Sequence, residues 1–269
     1  MAKKKARAYV TSIAATGYEA AKTTEDGLKR ETYLLGKGQF LGGAIKDNSV
    51  TAITFEDIQL YLKEQLLVRN YHPAQDLESS DLVIVVHWGV TTVEDTWAEL
   101  TGINPEEEYD NAVAESVDSD QEINSFPTIT SPSFNDLDSG GASTQYSQRH
   151  NARMLGFDKV RNDKTLTDQE KSDLLAELEN ERYFIILMAY DCPSMYKEKE
   201  KKLLWSTRIS IDSLGTNFIE SAPALTRAAK GHFGTNLDRI TKSVTEFGES
   251  KIKFGELEAK EVVEDKEDQ

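Results

Sequence analysis

The chain contains one cysteine, Cys192, so no disulfide can close within it. That leaves the compartment open, because a chain with a sizeable core needs no disulfide even where thiols oxidise. No run approaches the roughly 18 apolar residues of a membrane helix, so direct membrane insertion is not expected. Basic residues are few relative to acidic ones, 31 against 47, for a formal net charge of -16. A field of that sign repels phosphate backbones and anionic lipid heads and argues against a nucleic-acid partner. The four histidines, His72, His87, His150 and His232, show no paired spacing and no HExxH, so no zinc site and no metal is expected. GxSxG is missing. Ser194–Lys197 matches SxxK, but its SDN and KTG companions are absent, so no catalytic residue is assigned. No internal repeat of 20 residues or more occurs.

What is present suits a folded core: 269 residues, 38% hydrophobic, with ten Tyr, ten Phe and three Trp. Residues 1–30 are small, polar and aperiodic and read as a flexible N-terminal arm; Met1–Arg7 is basic like the start of a signal peptide, without an apolar stretch after it. Residues 31–245 read as a single α+β domain. Glu31–Gly43 is strand-like and glycine-rich. Thr54 caps a helix with Asp57, and Phe55, Ile58, Leu62 and Leu66 form its apolar stripe up to a stop at Asn70. Leu82–Val86 is an unbroken β-branched run, the mark of a strand covered on both faces. Together these make a βαβ unit.

Residues 101–144 form a long acidic insert, with ten acidic residues and no Lys or Arg between Asn104 and Gly141. Its composition cannot offset a chain entropy of about 1–2 kcal/mol per residue, so a flexible loop is expected. Two helices follow, one over Tyr146–Leu155 and one capped by Thr167 with Glu170. Tyr183–Tyr190 reads as another buried strand. Leu203, Trp205, Thr207, Ile209 and Ile211 alternate with Leu204, Ser206, Arg208 and Ser210, which predicts a hairpin with the preceding strand. A last helix near Asn217–Phe233 completes a ββα unit. The charged tail, 246–269, offers a possible edge strand. The expected whole is one mixed sheet of four to five strands, with helices mainly on one face.

Several motifs invite chemistry. Gly36–Gly43 resembles a nucleotide loop, but Leu41 occupies the third glycine position and the next helix starts too late, so no cofactor follows and a bent strand and turn fits better. Asp118–Glu122 resembles a calcium loop, with Ile123 where the turn needs glycine. His87 and Trp88 end a central strand, where clefts open; His87 shares a face with Val83 and Val85. Arg208 suits an anionic ligand, with Tyr190 or Tyr183 nearby. The candidate ligand-binding residues are therefore His87, Trp88, Tyr190 and Arg208. Two readings stay open: a binding or structural module, and a hydrolase-type enzyme using His87. Core plugging by His87 and an ion pair for Arg208 are the structural alternatives.

The blocks YLLGKGQFLGG, FEDIQLYLKEQLLVRNYHPA and DLVIVVHWG (within 33–89), RYFIILMAYD (182–191) and LLWSTRISI with FIESAPALTRAAKGHF (203–233) resemble a family of uncharacterised bacterial envelope proteins, many made as lipoproteins. The resemblance covers roughly half the chain and rests mostly on hydrophobic pattern. It implies a small α/β envelope domain, export by a leader, a protein partner in the envelope and no assigned activity. It also implies a periplasmic or outer-membrane-associated site if a leader was removed, and a cytoplasmic one otherwise. No lipobox cysteine stands near residue 1, which departs from the family pattern. Oligomeric state is left open.

Overall fold

Three apolar runs build the centre of a mixed seven-stranded sheet. The computed structural model describes residues 4–25, 27–42, 47–91 and 150–247. Its sheet strands are β1 (Lys4–Ala14), β4 (Glu31–Leu41), β5 (Tyr71–Pro73), β6 (Leu82–Val90), β7 (Arg182–Asp191), β8 (Leu203–Asp212) and β9 (Thr241–Phe247). They lie in the order β5-β4-β6-β7-β8-β1-β9. β4 runs parallel to β5 and β6, and the other pairs are antiparallel. A separate two-residue ladder joins β2 (Thr23–Thr24) to β3 (Gly27–Leu28). The helices are α1 (Tyr18–Lys22), α2 (Asn48–Ala52), α3 (Phe55–Leu67), α4 (Asp168–Ala176) and α5 (Phe218–Ala228).

The expected units are present. β4, α3 and β6 form the βαβ unit, and β7, β8 and α5 the ββα unit. α3 opens on a reciprocal capping box between Thr54 and Asp57, and it buries Ile58, Leu62 and Leu66. Full burial of each such side chain contributes about 1.5–3 kcal/mol. Asn70 ends the segment with a left-handed φ of 59°. Under α3 and α5 lie Ile84, Val86 and Trp88 of β6, Ile185 and Leu187 of β7, and Trp205, Ile209 and Ile211 of β8.

Three expectations need correction. The sheet has seven strands, not four or five. Residues 4–14 are no arm: β1 lies inside the sheet between β8 and β9. Its inward side chains, Ala8, Val10 and Ala14, are buried but mostly small, so period-two burial leaves a weak hydrophobic signal. Helices also cover both faces. On the second face Tyr9, Phe184, Ile186 and Met188 pack against Leu155, Phe157, Val160 and Leu178, from a helical turn at 150–155, the 3-10 turns that follow and the end of α4.

Leu203 departs from its expected face too. The β7–β8 register slips between Ala189 and Tyr190, and a one-residue slip moves a side chain across the sheet. Leu203 therefore joins the second-face core. The edge strand expected in the tail begins earlier, at Thr241. The acidic insert, the calcium-like Asp118–Glu122 and residues 248–269 lie outside the described residues. Among the described residues no helix is long and apolar enough to cross a membrane.

Candidate functional site

The β1–β8 ladder fixes what stands on the second face. Ile13 pairs with Ser206, Thr11 with Arg208, and Tyr9 with Ser210, so these side chains form a short double row. Over the Ile13–Thr11 end the covering chain stands off the sheet, leaving a cavity of about 1060 Å³. Ser206, Arg208 and Thr11 form its floor, the helical turn at 150–155 and Asp158–Val160 one wall, and residues 236–240 the other. Both walls are anchored to β1. Thr11 Oγ1 donates to the Leu155 carbonyl at 3.2 Å, and a Cβ on Gly156, at φ +79°, would meet Thr11 Oγ1 at 2.4 Å. Opposite, the Leu237 N–H donates to the Ser12 carbonyl at 2.9 Å, and the Ala14 N–H donates to Asn236 Oδ1 at 2.9 Å.

Among the described residues the lining carries slightly more basic than acidic side chains. Arg153, Lys159, Arg208 and Arg239 face it, against Asp158, Asp163 and Asp238. One of those carboxylates is engaged: Asp163 Oδ1 accepts from Thr165 N at 2.7 Å and from Thr165 Oγ1 at 2.6 Å. Burial pulls the Arg208 guanidinium below the ordinary arginine range; Asp158 opposes that shift and Arg153 adds to it. Burial, with Arg153 contributing, also lowers His150 to about 4, so its imidazole is neutral at pH 7. Ser206 is 5% exposed, and its hydroxyl has no hydrogen-bond partner among the described residues. A buried hydroxyl left in that condition costs about 1–3 kcal/mol.

Two other buried cations are ion-paired within the chain. Arg182, fully buried in β7, meets Glu177 at 2.7 Å and donates from Nε to Ser210 Oγ at 3.1 Å. Its guanidinium lies 5.0 Å from the Tyr9 ring centroid, and the Tyr9 hydroxyl donates to the same Glu177 at 2.8 Å. On the first face Lys22 is also fully buried. Its ammonium lies 3.0 Å from Glu31 and 3.7 Å from the Tyr71 ring centroid. Burial lowers the Lys22 pKa, with Glu31 opposing. Tyr18 donates to Glu31 at 2.7 Å and lies 3.1 Å from the Tyr71 hydroxyl, so the cluster ties α1 to the β4–β5 edge.

Of the four residues expected from sequence, only Arg208 lines the cavity. His87 shares the face and the cross-strand row of Arg208, since both align with Ile186, but two strand spacings, roughly 10 Å, separate them. Its Nδ1 accepts from the Gln39 N–H at 3.0 Å, and burial lowers its pKa. That contact explains Gly38, whose Cβ would lie 2.8 Å from the imidazole. Tyr190 is four residues along β7 from Ile186, roughly 13 Å, with its hydroxyl 3.8 Å from Met188 Sδ. Trp88 points into the first-face core between Phe40 and Phe55, at ring separations of 5.8 and 5.9 Å. Tyr183 also lies on that face. These side chains do not converge.

Ser206, Arg153, Lys159 and Arg239 went unnoticed in the sequence. Ser206 carried one available signal, its alternation with Arg208 on the less apolar face of β8. Among the described residues no three His, Cys, Asp or Glu side chains gather as metal ligands. No protein-family model matches the chain, and no curated protein matches its sequence.

Proposed function

We propose that the protein is a non-catalytic binding module whose ligand occupies the cavity between β1, β8 and residues 150–160. The observation that carries this reading is Ser206, a buried donor with no hydrogen-bond partner among the described residues, on the floor of a cavity of about 1060 Å³. That volume matches the pockets that enclose small molecules, which run to roughly 1,000 Å³. The case against catalysis is that, among the described residues, no base is hydrogen-bonded to the same hydroxyl to activate it. A hydrolytic reading built on His87 has less support, because His87 lines none of the cavity and its Nδ1 is taken by Gln39.

The resemblance of the three core blocks to envelope proteins supports a site of action in the bacterial envelope, with a protein partner there. Cell fractionation should then recover the chain outside the cytosol; recovery with cytosolic markers alone would remove that placement. For the cavity, a thermal-shift screen of chemically varied small molecules compares the native protein with Ser206→Leu, whose side chain enters the empty volume. Ligands should raise the native Tm, as binding at 100 times Kd adds about 2.7 kcal/mol, and fail to raise that of the variant. The reading does not survive if every ligand that stabilises the native protein stabilises Ser206→Leu equally.

A further inference from the structure

The two ends of the sheet are finished differently. At one end β5 is three residues long and closes on Pro73, which has no N–H to offer a further strand. Where β5 stops, β4 becomes the edge and is blunted in turn: its register slips between Lys37 and Phe40, and Lys37 is exposed. Short strands, proline, bulges and exposed lysine all keep an edge from pairing with another chain. At the other end stands β9, seven residues without proline, glycine or bulge, with β-branched Thr241, Val244 and Thr245 among them. Its full length pairs with β1, and among the described residues no strand lies on its outer side.

The outward backbone groups of β9 follow from those of β1. The Ala15 N–H donates to Leu204 of β8, whereas the Ala14 N–H and the Ser12 carbonyl bond residues 236 and 237 on the opposite side. Even-numbered residues of β1 therefore direct their hydrogen-bonding groups toward β9, and their register partners there are Thr241, Ser243 and Thr245. The N–H and C=O groups of Lys242, Val244 and Glu246 point away from β1.

Those three positions are complementary to themselves. A two-fold axis at Val244 lays a second β9 antiparallel on the first, with Val244 opposite the second copy's Val244, each donating to and accepting from the other. The same register sets Lys242 opposite Glu246 at both ends. Opposite charges at directly opposed positions stabilise an antiparallel ladder, and like charges there would oppose it. Val244, 63% exposed in the single chain, sits at the axis. Self-complementarity of one patch is what a two-fold interface requires.

We propose that β9 is an interaction edge whose partner is a second copy of this chain, joined by antiparallel β9–β9 pairing centred on Val244 into a sheet continuous across both copies. A single strand pair is a small interface, so the association is reversible and depends on concentration. None of residues 241–247 lines the cavity, so either reading can fail without the other.

Sedimentation velocity of the full chain tests this from roughly 1 to 200 µM, at physiological salt, where screening limits repulsion between two chains of net charge -16. The native protein should pass from monomer toward dimer over that range. Val244→Pro removes an outward N–H and no bond to β1, so circular dichroism should be unchanged while dimerisation weakens at least about tenfold. Lys242→Glu and Glu246→Lys each set like charges opposite one another and should weaken association several-fold. The double exchange restores opposite charges and should recover it, which a role confined to one chain does not explain. Should Val244→Pro unfold the chain, the charge exchange decides alone. A native chain that stays monomeric throughout overturns the proposal, and pairing of β9 with the chain's own C-terminal residues would give that result. A dimer indifferent to Val244→Pro and to both charge reversals places the contact elsewhere and overturns it as well.

Discussion

Arg182 and Arg208 stand on the same face of adjacent strands, and their surroundings are opposite. Arg182 is enclosed, with Glu177 at 2.7 Å, Ser210 at 3.1 Å and the Tyr9 ring beneath it. Arg208 is half-buried beside a cavity, with Arg153 close enough to work against its charge. Burying a guanidinium is costly, and the two sites answer that cost differently. At Arg182 the counter-ion belongs to the chain, and the group fastens the end of α4 to the sheet. At Arg208 the group lines the cavity together with Arg153. Lys22, clasped by Glu31 and Tyr71, belongs with Arg182. The difference separates charge enclosed by the fold from charge that faces a cavity.

Replacement of Arg182 should break the comparison most visibly. Arg182→Met leaves the Glu177 carboxylate and the Ser210 hydroxyl without the guanidinium they meet and should cost about 3–5 kcal/mol in urea unfolding. Adding Glu177→Leu should restore part of that loss.

Acid comes next. His150 titrates near 4 in the folded protein, below the ordinary 6.5, with burial as the main cause and Arg153 adding to it. The unfolded chain therefore binds more protons between those values, and stability falls as pH drops from about 6.5 to 4. The full effect is at most about 3 kcal/mol at 1.36 kcal/mol per pH unit. His150→Gln should flatten that part of the profile; an unchanged acid limb would show that His150 is not buried neutral.

Gly156→Ala should cost about 1–3 kcal/mol, because it places a Cβ on a left-handed residue and against Thr11 Oγ1. The wall it holds should shift, weakening whatever binds in the cavity. A stable variant with undisturbed binding would separate Gly156 from the cavity.

The sequence made some of this legible and hid the rest for physical reasons. The central strands and α3 were readable because long apolar runs and the Thr54–Asp57 box act locally. β1 was hidden because alanine and serine line much of its buried side, and its basic start suggests solvent. Leu203 misled because a bulge resets alternation. For the site, Arg208 stands out as the one cation in its strand. The other cations give no signal: Arg153 and Lys159 lie far before Arg208 in the chain and Arg239 well after it, and the wall contacts to β1 bring them over β8. His87, Trp88 and Tyr190 stand out by residue type and strand position, yet strand spacing and facing keep them from meeting Arg208 in one site.

The most direct measurement is the equilibrium unfolding of Arg208→Met, without ligand, beside Arg182→Met. If Arg208 serves the cavity rather than the fold, its removal leaves stability within about 0.5 kcal/mol of the native protein. A loss comparable to that of Arg182→Met would mean that Arg208 is another fastening of the fold, and the cavity would lose its claim as the functional site.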